Sequence, residues 1–148
     1  YSDDPKEMKK IIDPIVNEGY DFVLGARTKR FRDKHSMTTH QIFGNWLACL
    51  LMKIFFNSTF KDLGPFRAIA WDKLMQLKMR DKNFGWTIEM QIKALMKNYK
   101  YNEIDVKYKK RLGKSKISGT LKGSILAGKK ILYLIFKYYF KKKVGLLW

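Results

Sequence analysis

The chain has 148 residues, 46% of them hydrophobic, so it is long and apolar enough to bury one core and is not a disordered segment. Its 31 basic and 13 acidic side chains leave a formal net charge of +18, which predicts attraction to phosphate in nucleic acid, anionic lipid or a phosphorylated substrate. The single cysteine, Cys49, excludes an internal disulfide and a thiolate zinc site, and fits a reducing compartment.

Residues 1–4 are polar, with neither a methionine nor an apolar leader, and read as the start of a fragment. Asp4, Pro5 and Glu7 predict a helix start, with an acceptor at the cap, proline in the first turn and a carboxylate three residues on. Met8, Ile11, Ile12, Ile15 and Val16 then share one helical face, Pro14 is expected to kink or divide the helix, and Gly19 ends it. The apolar run at 20–24 predicts a buried strand of an α/β sheet. Arg27 falls just past that strand, where open α/β sheets place their ligands.

Residues 28–39 read as a polar loop, and 40–56 as a helix with a wide apolar stripe that includes Ile42, Phe43, Trp46, Leu47, Leu50 and Ile54. Gly64 and Pro65 make 60–70 a loop, and it carries Asp62 and Arg67. A helix is predicted over 85–99, with Ile88, Ile92, Leu95, Met96 and Tyr99 toward the core and Glu89 on another face. Ile104, Val106 and Tyr108 alternate with polar residues as in a half-buried strand.

After a polar link at 111–116, residues 121–140 form a basic amphipathic helix through Leu121, Ile125, Gly128, Ile131, Leu132, Ile135 and Tyr139. No run reaches the roughly 18 to 20 apolar residues of a spanning helix. Lys53 interrupts the apolar stretch at 46–56, and Lys130 and Lys137 bracket the one at 131–136. Every acidic residue lies at or before Asp105, while 106–148 holds 13 Lys and Arg, so the tail faces something anionic.

Five phrases stand in one order: YDFVLGAR at 20–27, HQIFGN at 40–45, KDLGPFRAI at 61–69, GWTIEM at 85–90, and RLGKSKISG at 111–119. Together they resemble the second half of a GT-A family 2 glycosyltransferase of the dolichyl-phosphate mannose synthase and polyprenyl-phosphate glycosyltransferase group. The resemblance spans about residues 1–128. It implies an α/β, Rossmann-like mixed sheet forming the C-terminal part of the catalytic domain over 1–119, followed by a membrane-interface helix and tail over 120–148. The implied reaction moves a sugar from a nucleotide-diphosphate donor to an acceptor such as a polyprenyl phosphate, at the cytoplasmic face of a membrane. A divalent cation, Mg2+ or Mn2+, is implied as well, held by a DxD motif expected upstream of Tyr1. Helix capping explains Asp3 and Asp4 better than metal ligation does, so this chain alone is expected to be catalytically incomplete.

The resemblance and the residue chemistry nominate the same side chains. A leaving diphosphate needs fixed cations, and Arg27, Arg67, Arg111, Lys114 and Lys116 are available, arginine being suited to bidentate phosphate contacts. Asp62 lies where the family places an acid facing sugar and acceptor; it is a general base if the acceptor is a hydroxyl, and a positioning group if the acceptor is an ionised phosphate. Glu89 is a candidate for orienting the sugar or a site arginine. His40 has no triad or zinc partners, and Cys49 is expected to pack.

Trp46, Phe55 and Phe56 on the first apolar helix, and Tyr133, Tyr138 and Tyr139 on the last, suit a lipid headgroup boundary, with lysines toward anionic lipid. Two other classes compete. A nucleic-acid binder fits the charge but has no recognition motif, and a non-catalytic membrane adaptor derived from a transferase fits the missing metal motif.

Overall fold

The structure is a computed structural model, and it describes residues 2–110, 112–113 and 121–145. It is an α/β arrangement of a three-stranded mixed sheet and five helices, as the sequence predicts. Asp4 caps a short 3-10 turn, Pro5–Glu7, by accepting the Lys6 N–H at 3.1 Å, and α1 (Met8–Glu18) follows directly. Pro14 is accommodated inside α1, and Gly19 ends it at φ 68°, a left-handed conformation that favours glycine. Of the expected apolar face only Ile11 is buried and Ile15 partly so. Met8, Ile12 and Val16 stay exposed, because α1 touches the sheet along one edge of that face.

The central strand β1 (Phe22–Ala26) runs two residues further than predicted and is buried throughout. Antiparallel to it lies β2 (Arg67–Ile69), with Phe22 opposite Ile69 and Leu24 opposite Arg67. On the other side β3 (Tyr101–Asp105) is parallel, with Leu24 opposite Glu103. Two corrections follow. Arg67 stands on a short strand instead of a loop, and the last strand precedes its predicted place, although the buried Val106 continues the pairing by donating its N–H to Ala26 O at 3.1 Å.

Between β1 and β2 lies α2 (Thr39–Phe56), which opens on a capping box: Thr38 Oγ1 accepts the Gln41 N–H, and Gln41 Oε1 accepts the Thr38 N–H. The short α3 (Trp71–Leu77) was not predicted, and α4 (Trp86–Met96) was. The last helix, α5 (Leu121–Lys143), packs on α2 and α4. Leu134, Ile135 and Tyr138 enter the main core beside Phe22, Met52, Ile88 and Ile92. Burying each large apolar side chain stabilises by about 1.5–3 kcal/mol, so α5 is held to the domain by more than its lysines.

The later part of the expected α5 stripe packs as predicted, with Ile135 buried and Ile131 and Tyr139 against the core, joined by Leu134 and Tyr138, whereas Ile125 is exposed. The headgroup assignments change as well. Phe56 and Tyr138 are core residues, whereas Phe43, Trp46 and Ile54 on α2 and Tyr133, Phe136 and Phe140 on α5 face outward.

Candidate functional site

The chain leaves β1 at Ala26, and Arg27 turns directly onto Asp62. Its main-chain N–H reaches Asp62 Oδ2 at 2.9 Å, its Nε reaches the same oxygen at 2.8 Å, and its Nη2 reaches Oδ1 at 2.8 Å. The two side chains are 13% and 5% exposed, so this bidentate pair is largely out of water. Burial works against the Arg27 charge, but the hydrogen bonds and charge of Asp62 outweigh it and hold the guanidinium above its ordinary range. Tyr108 adds a ring 5.3 Å from the guanidinium carbon.

Gly64 permits this closeness, because a Cβ there would lie 2.8 Å from Gly25 O and 2.9 Å from Asp62 Oδ2. The Asp62 loop is held by side chains from three other elements. Asn45 on α2 accepts the Leu63 N–H at 2.9 Å and donates to Lys61 O at 3.3 Å. Gln91 on α4 donates to Asp62 O at 2.9 Å. Glu103 on β3 accepts the N–H groups of Lys61 and Asp62. Only Asn45 lies in one of the five ordered phrases; a polar Gln91 within the apolar α4 stretch was a second available signal.

Arg67 is brought close to this loop, but its fork is spent on carbonyls. Nε and Nη2 donate to Gly64 O and Nη1 donates to Thr87 O at 2.9 Å, between the rings of Phe22 and Trp86. Burial pushes its pKa down to about 9, with Asp62 opposing the shift, and it remains a cation at neutral pH. Arg67 therefore ties the loop to the first turn of α4.

Glu89 is neither solvent-exposed nor part of the Arg27–Asp62 group. It is 1% exposed and accepts the Arg80 and Asp81 N–H groups, the Tyr138 hydroxyl at 2.7 Å and Lys93 Nζ at 2.8 Å. Burial works against its charge, but these donors hold its pKa below the ordinary value. The carboxylate joins α4 to α5. Arg111, Lys114 and Lys116 lie outside the described residues.

A cavity of about 250 Å³ opens between the N-terminal half of α2 and the start of α5 and reaches Arg27. Small and apolar residues line much of it, among them Gly44, Ala48, Ala127, Gly128 and Ile131, and His40, Gln41 and Asn45 supply polar groups. Ser124 Oγ also lines it, buried and without a hydrogen-bond partner among the described residues. Its walls are thus mostly apolar, with polar groups from α2 and the paired Arg27 among its lining. Cys49 is buried nearby and its thiol is pushed up to about 12 by burial, which makes it an inert packing residue.

Asp4 is committed to its cap and to Lys109, and burial raises the Asp3 carboxyl, with Arg27 opposing. Among the described residues no three carboxylates, imidazoles or thiols converge, so these residues do not fit a divalent-cation site.

The comparisons with known proteins support the sequence resemblance at a coarse level. The chain is 37% identical over 67 residues to uncharacterized glycosyltransferases of Mycobacterium bovis and of two Mycobacterium tuberculosis strains. The match covers 45% of this chain and 31% of each relative's length. No family model matches, and no solved structure gives a significant match. The chain is thus related to glycosyltransferases.

Proposed function

We propose that this chain is the acceptor-side part of a GT-A, family 2 glycosyltransferase that moves a sugar from a nucleotide-diphosphate donor to a polyprenyl phosphate at the cytoplasmic face of a membrane. The observation that carries this reading is the cavity between α2 and α5, apolar along its walls and reaching Arg27. In this reading the lipid phosphate lies against Arg27 and the isoprenoid chain lies along Leu47, Ile131 and Leu132. An ionised phosphate oxygen attacks the anomeric carbon of the sugar. The bond from that carbon to the diphosphate oxygen breaks, and the nucleoside diphosphate leaves with the electron pair. A phosphate nucleophile needs no strong base, so Asp62 serves by fixing Arg27 and by facing the sugar, while positive charge around the site offsets the diphosphate's charge.

The divalent cation remains a proposal that rests on residues beyond those described, and no step above passes through it. Arg111, Lys114 and Lys116 are proposed as further phosphate contacts on the strength of the resemblance alone.

Membrane contact is supported by the outward aromatic groups of α2 and α5 and by the absence of acidic residues after Asp105. No helix among the described residues is long and apolar enough to cross a membrane. The test is transfer from a panel of nucleotide sugars to polyprenyl phosphate by the full-length protein, with Asp62→Asn and Arg67→Ala as variants. Activity surviving both substitutions unchanged would remove this site assignment.

A further inference from the structure

Glu103 belongs to none of the groups assigned above to substrates, yet its carboxylate is aimed at the site loop. Oε1 accepts the N–H of Lys61 at 3.0 Å and that of Asp62 at 2.9 Å, and Oε2 accepts the Lys61 N–H at 2.9 Å. Two consecutive amides on one carboxylate fix the peptide groups on either side of the Lys61 Cα, the second of which leads directly to the Asp62 Cα. The acid is carried on a strand in full register with β1, which also positions Arg27 at its end, so both halves of the ion pair are set by one rigid sheet.

We propose that Glu103 is the positioning residue of this site, its ionised carboxylate holding the 61–62 peptide in the orientation from which Asp62 meets Arg27. The catalytic consequence rests on the function proposed above; the structural one does not.

The chemistry of the surroundings makes the role testable. Burial pushes the Glu103 carboxyl up to about 7, the two amides oppose that shift, and the facing charges are Asp62, which raises it, and Lys61, which lowers it. From α2 the neighbouring ionisable group is the Cys49 thiol, and β1 presents apolar Leu24. Once protonated, the carboxyl has an O–H where an acceptor is needed, so the ionised form is the one that accepts from both amides.

The test uses the full-length protein, as wild type, Glu103→Gln and Glu103→Asp. Amide hydrogen exchange at residues 61 and 62 is read by NMR at pH 8, with the α4 amides as a check that each variant is folded, and sugar transfer is followed across pH with the same proteins. In the wild type both amides should be about tenfold better protected than in Glu103→Gln, the size expected for a hydrogen bond to a charged group. Glu103→Gln should also lower turnover by about tenfold at unchanged donor KM, with the acid limb near pH 7 gone. Glu103→Asp, one methylene shorter, should restore part of the protection and of the limb.

Equal protection of both amides in the wild type and in a Glu103→Gln variant whose α4 amides stay protected would overturn the proposal. So would a Gln variant that keeps both the protection and the acid limb. If no sample transfers sugar while protection follows Glu103 as described, the function reading fails and the positioning role stands.

Discussion

Arg27 gives Asp62 three hydrogen bonds, one from its main chain and two from its guanidinium, across 35 positions of sequence. The pair is buried, so removing one partner strands the other charge. Asp62→Ala should lower unfolding stability by about 3–5 kcal/mol, as should Arg27→Ala, while the double variant should lose much less than the sum. Urea unfolding of the four proteins measures the coupling, and strictly additive losses would show that the two groups do not act as a pair.

Tyr138 carries the same logic to the last helix. Its hydroxyl donates to Glu89 from a core position, so Tyr138→Phe removes one donor from a buried carboxylate and keeps the ring packing. A loss of about 1.5–3 kcal/mol is expected, seen as a lower Tm. An unchanged Tm would mean that Lys93 and the Arg80 and Asp81 amides satisfy Glu89 without it.

Glu103 gives the fold a pH dependence of definite sign. Its folded pKa, about 7, stands above the ordinary value of 4.5, so the folded state binds the proton more tightly. The stability it contributes is complete below about 4.5 and is lost as pH rises through 7, a change of roughly 3 kcal/mol. Denaturant titrations between pH 4.5 and 8 should show this decline in the wild type and a flatter profile in Glu103→Gln. The position thus sacrifices stability at neutral pH, as expected of a group kept for the site it orders.

Phe43 and Trp46 lie 60% and 56% exposed on α2, with their ring centroids 5.9 Å apart. Replacing both with Ser should weaken sedimentation with vesicles containing anionic lipid by about tenfold or more, while the Tm stays nearly constant. Salt should weaken binding further through the lysines of α5. Tight, salt-dependent binding to RNA or DNA without vesicle binding would favour the nucleic-acid reading instead.

The parts of this molecule that were legible in the sequence are those set by local pattern. The β1 run, the α2 helix and the position of Arg27 past a strand all follow from side-chain period and glycine punctuation, although the predicted α2 stripe faces largely outward, with Ile42, Phe43, Trp46, Leu50 and Ile54 exposed. The three residues of β2 were hidden beside Gly64 and Pro65, since so short a strand exists only through its pairing with β1. Glu89 and Glu103 show a different limit. Nothing local distinguishes a carboxylate that will be buried from one that will be solvated, because the amides that receive it come from residues 80–81 and 61–62. Tyr138 was misplaced at a lipid boundary for a related reason: the helical period gives the angle between faces, but not which face α2 and α4 will cover.

The most direct test of the central claim is transfer of a radiolabelled sugar from nucleotide-diphosphate donors to polyprenyl phosphate by the full-length protein, compared with Arg27→Ala and Gly128→Leu. Leucine at 128 should fill the cavity between α2 and α5 while leaving Arg27 in place. The account predicts lipid-linked product from the wild type, its near loss in Arg27→Ala, and a raised KM for the lipid in Gly128→Leu at little changed donor KM. Transfer that is indifferent to both substitutions would contradict it.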